Sequence, residues 1–297
     1  MRVGVALPQF GAAAQAAGDL AGFAAAAEEL GAASLWVGDR LLAPVHPTVS
    51  YPGRDGIPEQ FRAALDPFTV LAVAAVATRS ATLGASVLVA PWYPPALLAR
   101  QLTSLDVVSR GRLLPGLGIG WSPEEYEAAN SPWSRRGAAL DEMLDALSAL
   151  WSSDPVEHRG ERWSVPEAHV SLKPVQHPHP ALYLGGGSAA ALRRIGRRAD
   201  GWLPTVVVPH RVDPAALARQ RGLIDAAAQE AGRDPARIGT VVRVNVAPGS
   251  TPDQVGDAVR RLADTGHGEA FVDLLYVTDS HAEALRWTEA LVAGSDR

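Results

Sequence analysis

Four consecutive residues near the middle of the chain, Gly185, Gly186, Gly187 and Ser188, have the composition of an anion-binding turn. They follow a short apolar run and precede a helical pattern over residues 189–199. Glycine tolerates positive φ angles and close approach of a ligand, and serine can cap the following helix. The N–H groups and positive dipole end of that helix favour a negative ligand, most simply phosphate. A tight turn without a ligand explains an isolated glycine triplet equally well.

Two other candidate patterns predict no site. Residues 116–120 read Gly-Leu-Gly-Ile-Gly, which is GxGxG rather than the GxGxxG of a dinucleotide fold. His177 and His179 are flanked by prolines and have no third ligand nearby, so we predict no metal. The chain has no cysteine, which excludes disulfides, thiolate metal ligands and a cysteine nucleophile.

Composition narrows the class of protein. The formal net charge of −5, without a basic run, argues against nucleic acid as a partner, and the expected ligand is a small molecule. No leader pattern opens the chain and no stretch reaches about 18 apolar residues, so we expect a soluble cytoplasmic protein. With 297 residues and 47% hydrophobic content, one large barrel domain over residues 1–297 is the simplest organisation.

Strand and helix patterns alternate along the whole chain. Several helices are expected to open with a cap followed by proline, as at Asp66-Pro67 and Thr251-Pro252. Eight βα units in one chain predict an α/β protein with a (β/α)8 TIM barrel fold. The predicted strands are 2–8, 34–37, 82–88, 113–119, 182–184, 201–205, 238–246 and 270–276. The predicted helices are 19–30, 67–78, 95–108, 135–151, 188–199, 214–231, 252–265 and 281–292.

Two insertion segments are longer than a usual connection. Residues 39–66 are rich in proline and glycine and leave the C-terminal end of strand 2, so we expect a lid over the site. Residues 152–180 contain a predicted hairpin at 156–163 and an extended proline-rich strap at 173–180. Because this segment joins helix 4 to strand 5, we expect it to brace the N-terminal side of the barrel.

Ligands of such barrels bind at the C-terminal ends of the strands. Strand 2 ends at Asp39 and Arg40, strand 3 near Ser86 and Val87, and strand 6 at Thr205. Several exits carry only glycine or serine, which suits a flat ring lying close to backbone, with a phosphate at strands 5 and 6.

The sequence resembles the bacterial luciferase-like monooxygenase superfamily over nearly its whole length, and most closely the branch that uses the deazaflavin coenzyme F420. The resemblance rests on five motifs together, each of which is weak alone. They are Ser-Leu-Trp-Val-Gly-Asp-Arg at 34–40, Gln-Leu-Thr-Ser-Leu-Asp at 101–106 with Ser-Arg-Gly-Arg at 109–112, Gly-Leu-Gly-Ile-Gly-Trp at 116–121, Gly-Gly-Gly-Ser at 185–188, and Asp-Gly-Trp at 200–202.

This resemblance implies a ring cofactor over the barrel mouth, with its phosphate at the glycine turn and Thr205. It also implies a non-prolyl cis peptide between Ser86 and Val87, backing the ring, and it favours a homodimer. An ordinary trans strand end is the alternative at Ser86. The predicted cofactor-binding residues are Ser86, Val87, Gly118, Gly120, Trp121, Gly185, Gly186, Gly187, Ser188 and Thr205.

The resemblance also places Asp39 near the ring or the substrate, although a salt bridge to Arg40 or a loop cap explains this residue equally well. Many relatives have a histidine where this chain has Arg40, which stays protonated at neutral pH. Arg40 is therefore predicted to bind an anionic group of substrate or cofactor, and His46 or Tyr51 on the lid to supply a proton. Trp121 is predicted to form a wall beside the ring.

The implied function is an F420-dependent oxidoreductase. Hydride would pass between the deazaflavin C5 and a small substrate with a C=C, C=N, carbonyl or alcohol group. One alternative is an FMN-dependent monooxygenase that uses oxygen on the same barrel. A third, from another class, is a flavin-binding protein without catalysis.

Overall fold

The predicted strands form a ring of parallel barrel strands in a computed structural model that describes residues 1–52, 55–209 and 212–295. Helices cover the outside of the ring. Within the described ranges we number eight barrel strands in chain order. They are Arg2–Ala6, Ser34–Val37, Thr82–Ala85 with Leu88–Val89, Leu113–Leu114 with Gly116–Gly118, Tyr183–Gly185, Gly201–Leu203 with Thr205–Val208, Gly239–Val246 and Glu269–Asp273.

Each barrel strand pairs in parallel with the next one along the chain, and the last pairs with the first. Strand 1 lies between strands 2 and 8, with Arg2 opposite Glu269. Both halves of strand 3 pair with strand 4, as in the register of Leu88 with Leu117. The ring therefore closes, and the predicted (β/α)8 fold is confirmed.

Three barrel strands that were predicted as continuous are interrupted once. Strand 3 breaks at residues 86–87, strand 4 at Pro115 and strand 6 at Pro204. Proline has no N–H for the ladder, which accounts for the last two breaks. Strand 6 was predicted to end at Thr205, which is wrong, because Thr205 opens a second half that pairs with strand 7 as far as Val208.

Two strands were predicted to run too far. Strand 1 ends at Ala6 rather than at residue 8, and strand 8 ends at Asp273 rather than at residue 276. After strand 8 the Asp273 Oδ1 accepts the N–H of Leu275 at 3.1 Å, which begins a turn. The side chain of a strand residue thus ends the ladder.

The outer helices confirm the predicted cap positions. Asp66 accepts the N–H of Thr69 at 2.8 Å, and Thr251 forms a capping box with Gln254. Two short helices, Gly11–Gln15 and Pro123–Ala128, were not predicted. The remaining α-helices are Leu20–Glu29, Pro67–Ala77, Pro95–Val108, Arg136–Ser152, Ala189–Arg198, Pro214–Glu230, Pro252–Asp264 and His281–Ser295. Among these described helices none is long and apolar enough to cross a membrane.

Aromatic side chains fill the inside of the barrel. Trp36 stacks on Phe271 with ring centroids 4.4 Å apart, and Leu203 and Val241 complete this inner cluster. A Cβ at Gly84 would lie 2.4 Å from the Trp36 ring, so the strand can pass the indole only as glycine. The packed interior supports the barrel mouth from below.

The proline-rich strap of the insertion at residues 152–180 braces the N-terminal side of the barrel, as predicted, since Gln176 donates to the carbonyl of Leu113 at 2.8 Å. The hairpin instead reaches the C-terminal side, where Arg162 donates to the carbonyl of Pro91 at 3.1 Å. This hairpin pairs Val156–Arg159 with Ser164–Ala168 in antiparallel fashion. Farther along, the buried carboxylate of Asp106 accepts the N–H groups of Val175 and Gln176 at 2.7 and 3.0 Å. The motif at residues 101–106 therefore stabilises the fold and lies away from the mouth.

Candidate functional site

The C-terminal ends of the barrel strands surround a cavity of about 470 Å³. This volume lies within the usual range of small-molecule sites. Its wall is formed by residues that lie in or just after strands 1 to 7 and by the segment at residues 39–66. The predicted site residues that line it are Asp39, Arg40, Ser86, Val87, Gly118, Gly120, Trp121, Gly185, Gly186, Gly187 and Thr205.

Two predicted site residues do not line this cavity. His46 is exposed on the segment at 39–66, outside the cavity wall. Ser188 is also exposed, and its Oγ accepts the N–H of Ala191 at 3.2 Å, so the predicted helix cap is confirmed. The chain positions of both residues were a poor guide, since side-chain direction and loop path decide what reaches the cavity.

We call Gly185, Gly186 and Gly187 the glycine rim. A Cβ on Gly185 would lie 2.9 Å from the Val87 Cγ1 atom, and one on Gly186 would lie 2.7 Å from the Ala191 Cβ atom. Gly186 also has φ +137°, which L side chains rarely adopt. Gly185 and Gly186 therefore have to be glycine. The exposed backbone of Gly186 and Gly187, just before helix Ala189–Arg198, fits an anionic group.

The Ser86-Val87 peptide is cis, as the family resemblance predicted. Val87 projects between two strand exits, since a Cβ on Gly118 would lie 2.5 Å from its Cγ2 atom. The ends of strands 4 and 5 therefore need glycine, at Gly118 and Gly185, because a larger residue would clash with the Val87 side chain. The Ser86 carbonyl accepts a hydrogen bond from the Arg243 Nη1 atom at 2.8 Å.

Asp39 lies at the exit of strand 2 and is not paired with Arg40, contrary to one of the alternatives above. Its Oδ2 atom accepts the N–H of Val89 and the O–H of Tyr93, both at 2.9 Å. Burial raises the pKa of Asp39 to about 6, although these hydrogen bonds oppose the rise. Near neutral pH this carboxyl group can therefore gain or lose a proton.

Arg40 pairs instead with Glu125, whose side chain is fully buried. The Oε1 atom of Glu125 accepts the Arg40 Nε–H at 3.1 Å and the Leu41 N–H at 2.8 Å. Burial lowers the pKa of Arg40 to about 10, so the guanidinium stays charged at neutral pH. We call this pair the Arg40–Glu125 latch, because it ties the segment at 39–66 to helix Pro123–Ala128.

Four aromatic residues form what we call the aromatic wall of the cavity: Phe10, Tyr51, Phe61 and Trp121. Tyr51 makes edge contacts with Phe61 and Trp121 at centroid distances of 5.2 and 5.3 Å, and Phe10 meets Phe61 at 5.6 Å. The segment at 39–66 therefore covers the site as a lid, as predicted. Its residues 53 and 54 lie outside the described part of the chain.

A buried polar network lies beside Ser86. Arg243 of strand 7 donates to Asp273 at 2.5 Å and to the Asn245 Oδ1 atom at 3.0 Å. Burial alone would lower the pKa of Arg243, but the Asp273 carboxylate, together with Tyr51 and Tyr276, outweighs this effect and holds the pKa above its usual value. Arg243 is therefore a fixed cation at the cavity wall.

Sequence reasoning missed Glu125, Tyr93, Arg243 and Asp273. Arg243 lies inside strand 7 and Asp273 lies inside the strand predicted at 270–276, so neither stands at a predicted strand exit. Glu125 is 85 residues from Arg40, and no local pattern indicates that they meet. In the described ranges no group of three acidic, histidine or cysteine residues is arranged to hold a metal.

Comparison with known proteins gives the family. The sequence model of the luciferase-like monooxygenase family matches residues 1–296 of this chain. A phthiodiolone/phenolphthiodiolone dimycocerosates ketoreductase from Mycobacterium tuberculosis is 31% identical over 245 residues, which is 80% of this chain. The aligned region spans only 63% of that ketoreductase.

Two solved structures share the fold. Monooxygenase RslO1 from Streptomyces bottropensis superimposes with a TM-score of 0.77 at 20% identity, covering 99% of this chain and 98% of that one. An F420-dependent secondary alcohol dehydrogenase, in complex with an F420-acetone adduct, has a TM-score of 0.75 at 15% identity, with the same coverage of both chains.

Proposed function

We propose that this chain, which belongs to the luciferase-like monooxygenase family, is an oxidoreductase that uses coenzyme F420. The proposed reaction moves a hydride between the deazaflavin C5 and a small substrate with a C=C, C=N, carbonyl or alcohol group. The observation that carries the proposal is one cavity with the glycine rim at one end and Asp39, a half-buried carboxyl group with a pKa of about 6, in its wall.

The cavity residues fit such a cofactor. The glycine rim leaves backbone open where a Cβ would fill the space, and Thr205 adds a hydroxyl at strand 6. We assign the phosphate to this end and the ring to the side of Val87, Gly118 and Gly120. A bound deazaflavin supplies the hydride chemistry, and the chain supplies orientation and a site closed by the lid.

Asp39 is the proposed proton-handling residue. Its Oδ2 atom is engaged by Val89 and Tyr93, which leaves Oδ1 to hold the proton. His46 is not proposed further, because it is exposed outside the cavity wall, and Arg40 is held in the latch. Tyr51 lines the cavity and remains a proposed hydrogen-bond donor to substrate.

FMN-dependent monooxygenation is the second candidate. It is favoured by membership of the luciferase-like monooxygenase family and by the fold shared with monooxygenase RslO1. Both cofactors present a phosphate, which the glycine rim would bind in the same way.

We also propose that the chain forms a homodimer. Exposed apolar residues on two adjacent outer helices, Val76 on Pro67–Ala77 and Leu97 and Val108 on Pro95–Val108, support this assembly. Sedimentation of the purified protein distinguishes a dimer from a monomer.

A titration followed by a turnover assay tests the activity. The protein is titrated with coenzyme F420 and with FMN, following fluorescence, and the reduced complex is then offered a panel of enones with and without oxygen. F420 binding with oxygen-independent turnover is expected. FMN binding alone with oxygen consumption would favour the second candidate, and tight binding without turnover would favour a non-catalytic flavin-binding protein.

A further inference from the structure

We infer that the substrate is a flat, uncharged molecule whose carbonyl group is conjugated to an aromatic ring, held against the aromatic wall. This inference rests on the proposed function and adds the substrate class. Three features of the cavity support it: the composition of the lid surface, the pairing of its charges and the position of one hydroxyl group.

The lid presents rings to the cavity. Asp39 and Arg40 stand at the start of the lid. The other described lid residues that reach the cavity are Tyr51, Pro52 and Phe61. Tyr51 meets Phe61 at 74° and Trp121 at 78°, so the rings stand on edge to one another. Edge-to-face arrangements of this kind extend readily to a further ring. A planar aromatic substrate would continue the same packing.

The charged side chains of the described cavity wall are all paired or protonatable. Arg40 is compensated by Glu125, and its guanidinium lies 4.5 Å from the centroid of Trp121 and 5.1 Å from that of Phe61. Arg243 is compensated by Asp273. A carboxylate or phosphate on the substrate would lose its water without gaining an unpaired cation. The pairing therefore selects against an anionic substrate.

Tyr51 brings one polar group of the lid to the cavity wall. The Tyr51 hydroxyl makes no hydrogen bond to another described residue, and it lies near enough to Arg40 and Arg243 to favour their charged forms. A hydroxyl in this position can donate to a carbonyl oxygen. The aromatic wall thus offers surface for a ring, and Tyr51 offers one donor for a carbonyl group.

Probe binding to the cofactor-loaded protein tests the inference. Three probes of similar size are titrated and followed by calorimetry: 2-acetylnaphthalene, 2-naphthoate and 2-undecanone. We expect the aromatic ketone to bind at least about 10-fold more tightly than either of the others. Equal or tighter binding of the naphthoate or of the aliphatic ketone would overturn the inference.

Two variants locate the effect. Phe61→Leu is expected to lower affinity for the aromatic ketone by roughly 10-fold and to leave the aliphatic ketone unchanged. Tyr51→Phe is expected to reduce the preference for 2-acetylnaphthalene over 2-ethylnaphthalene. The matched control is Trp133→Leu, since Trp133 carries a stacked arginine, Arg136, outside the cavity wall. An equal loss of probe affinity in this control would contradict the assignment.

Failure of the substrate assignment can be distinguished from failure of the proposed function. If neither coenzyme F420 nor FMN binds, the proposed function fails whatever the probes show. If a cofactor binds and turnover occurs with anionic or aliphatic carbonyl compounds in preference to aromatic ketones, the proposed function stands and the substrate assignment fails.

Discussion

The two sides of the barrel mouth differ in what they offer a ligand. The glycine rim presents exposed backbone and no charged side chain, whereas the lid side presents Asp39, the Arg40–Glu125 latch and the aromatic wall. Backbone donors suit a phosphate whatever ring is attached to it. The lid side would contact the rest of a bound ligand through its side chains. We therefore assign cofactor anchoring to the rim and substrate choice to the lid.

Within the lid side, two adjacent residues illustrate a further contrast. Asp39 is half-buried, with hydrogen bonds to one oxygen and no cation paired with it, and its partial removal from water raises its pKa to about 6. Arg40 is buried with a carboxylate and stays charged. Only the first can exchange a proton near neutral pH, and the second holds the lid in place.

We expect the largest effect from Glu125→Gln, which should lower the stability of the fold. The substitution keeps an acceptor for the Leu41 N–H but leaves the buried Arg40 charge uncompensated. We expect the free energy of unfolding to fall by about 3–5 kcal/mol. Urea denaturation of the variant and the wild type gives the difference.

The neighbouring Glu124→Gln is the control for that change. Glu124 also holds the lid, accepting the Thr48 N–H and O–H at 2.7 Å, but both bonds are exposed. We expect a loss near 1 kcal/mol or less. Equal losses in the two variants would show that the buried charge pair is not what fixes the lid.

Gly186→Asp tests the rim. At φ +137°, with Ala191 in the way of a Cβ, the new side chain distorts the rim and adds negative charge beside the phosphate site. We expect cofactor affinity to fall at least about 100-fold, or roughly 2.7 kcal/mol, measured by fluorescence titration. Gly249→Asp is the matched control, because Gly249 has φ +81° and no heavy atom within 4 Å of its would-be Cβ. If the rim variant binds the cofactor as tightly as the wild type, the phosphate does not bind at the glycine rim.

Asp39→Asn tests the proton-handling residue through pH. The folded pKa of about 6 exceeds the ordinary 3.8, so the folded state holds this proton more tightly than the unfolded state. The stability contributed by this proton is fully present below pH 4 and is lost as the pH rises through 6. Wild type should therefore lose about 2–3 kcal/mol relative to the variant between pH 4 and 7.

Denaturation of both proteins at several pH values measures that difference. A constant gap across the range would mean that Asp39 has an ordinary pKa in the folded protein, and the proposed proton transfer would lose its support.

Local patterns predicted the fold and the rim, and long-range contacts decided the rest. Strand and helix periodicity predicted the order of the elements in the barrel. The run of three glycines predicted a turn whose backbone adopts a positive φ angle. Tyr93 meets Asp39 from 54 residues away, and no spacing in the sequence reports that contact. His46 lies exposed outside the cavity wall, a position that periodicity could not indicate because it does not encode the path of a proline-rich lid. Thr205 was correctly placed in the cavity wall although its strand was predicted too short.

The central claim, that the rim anchors the cofactor phosphate independently of the ring, is tested most directly by comparing ligands with and without that group. Affinities are measured for FMN against riboflavin, and for coenzyme F420 against its phosphate-free deazaflavin analogue. For whichever ring binds, we predict that the phosphate-bearing form binds at least about 100-fold more tightly. Equal affinities of the two forms would contradict the account.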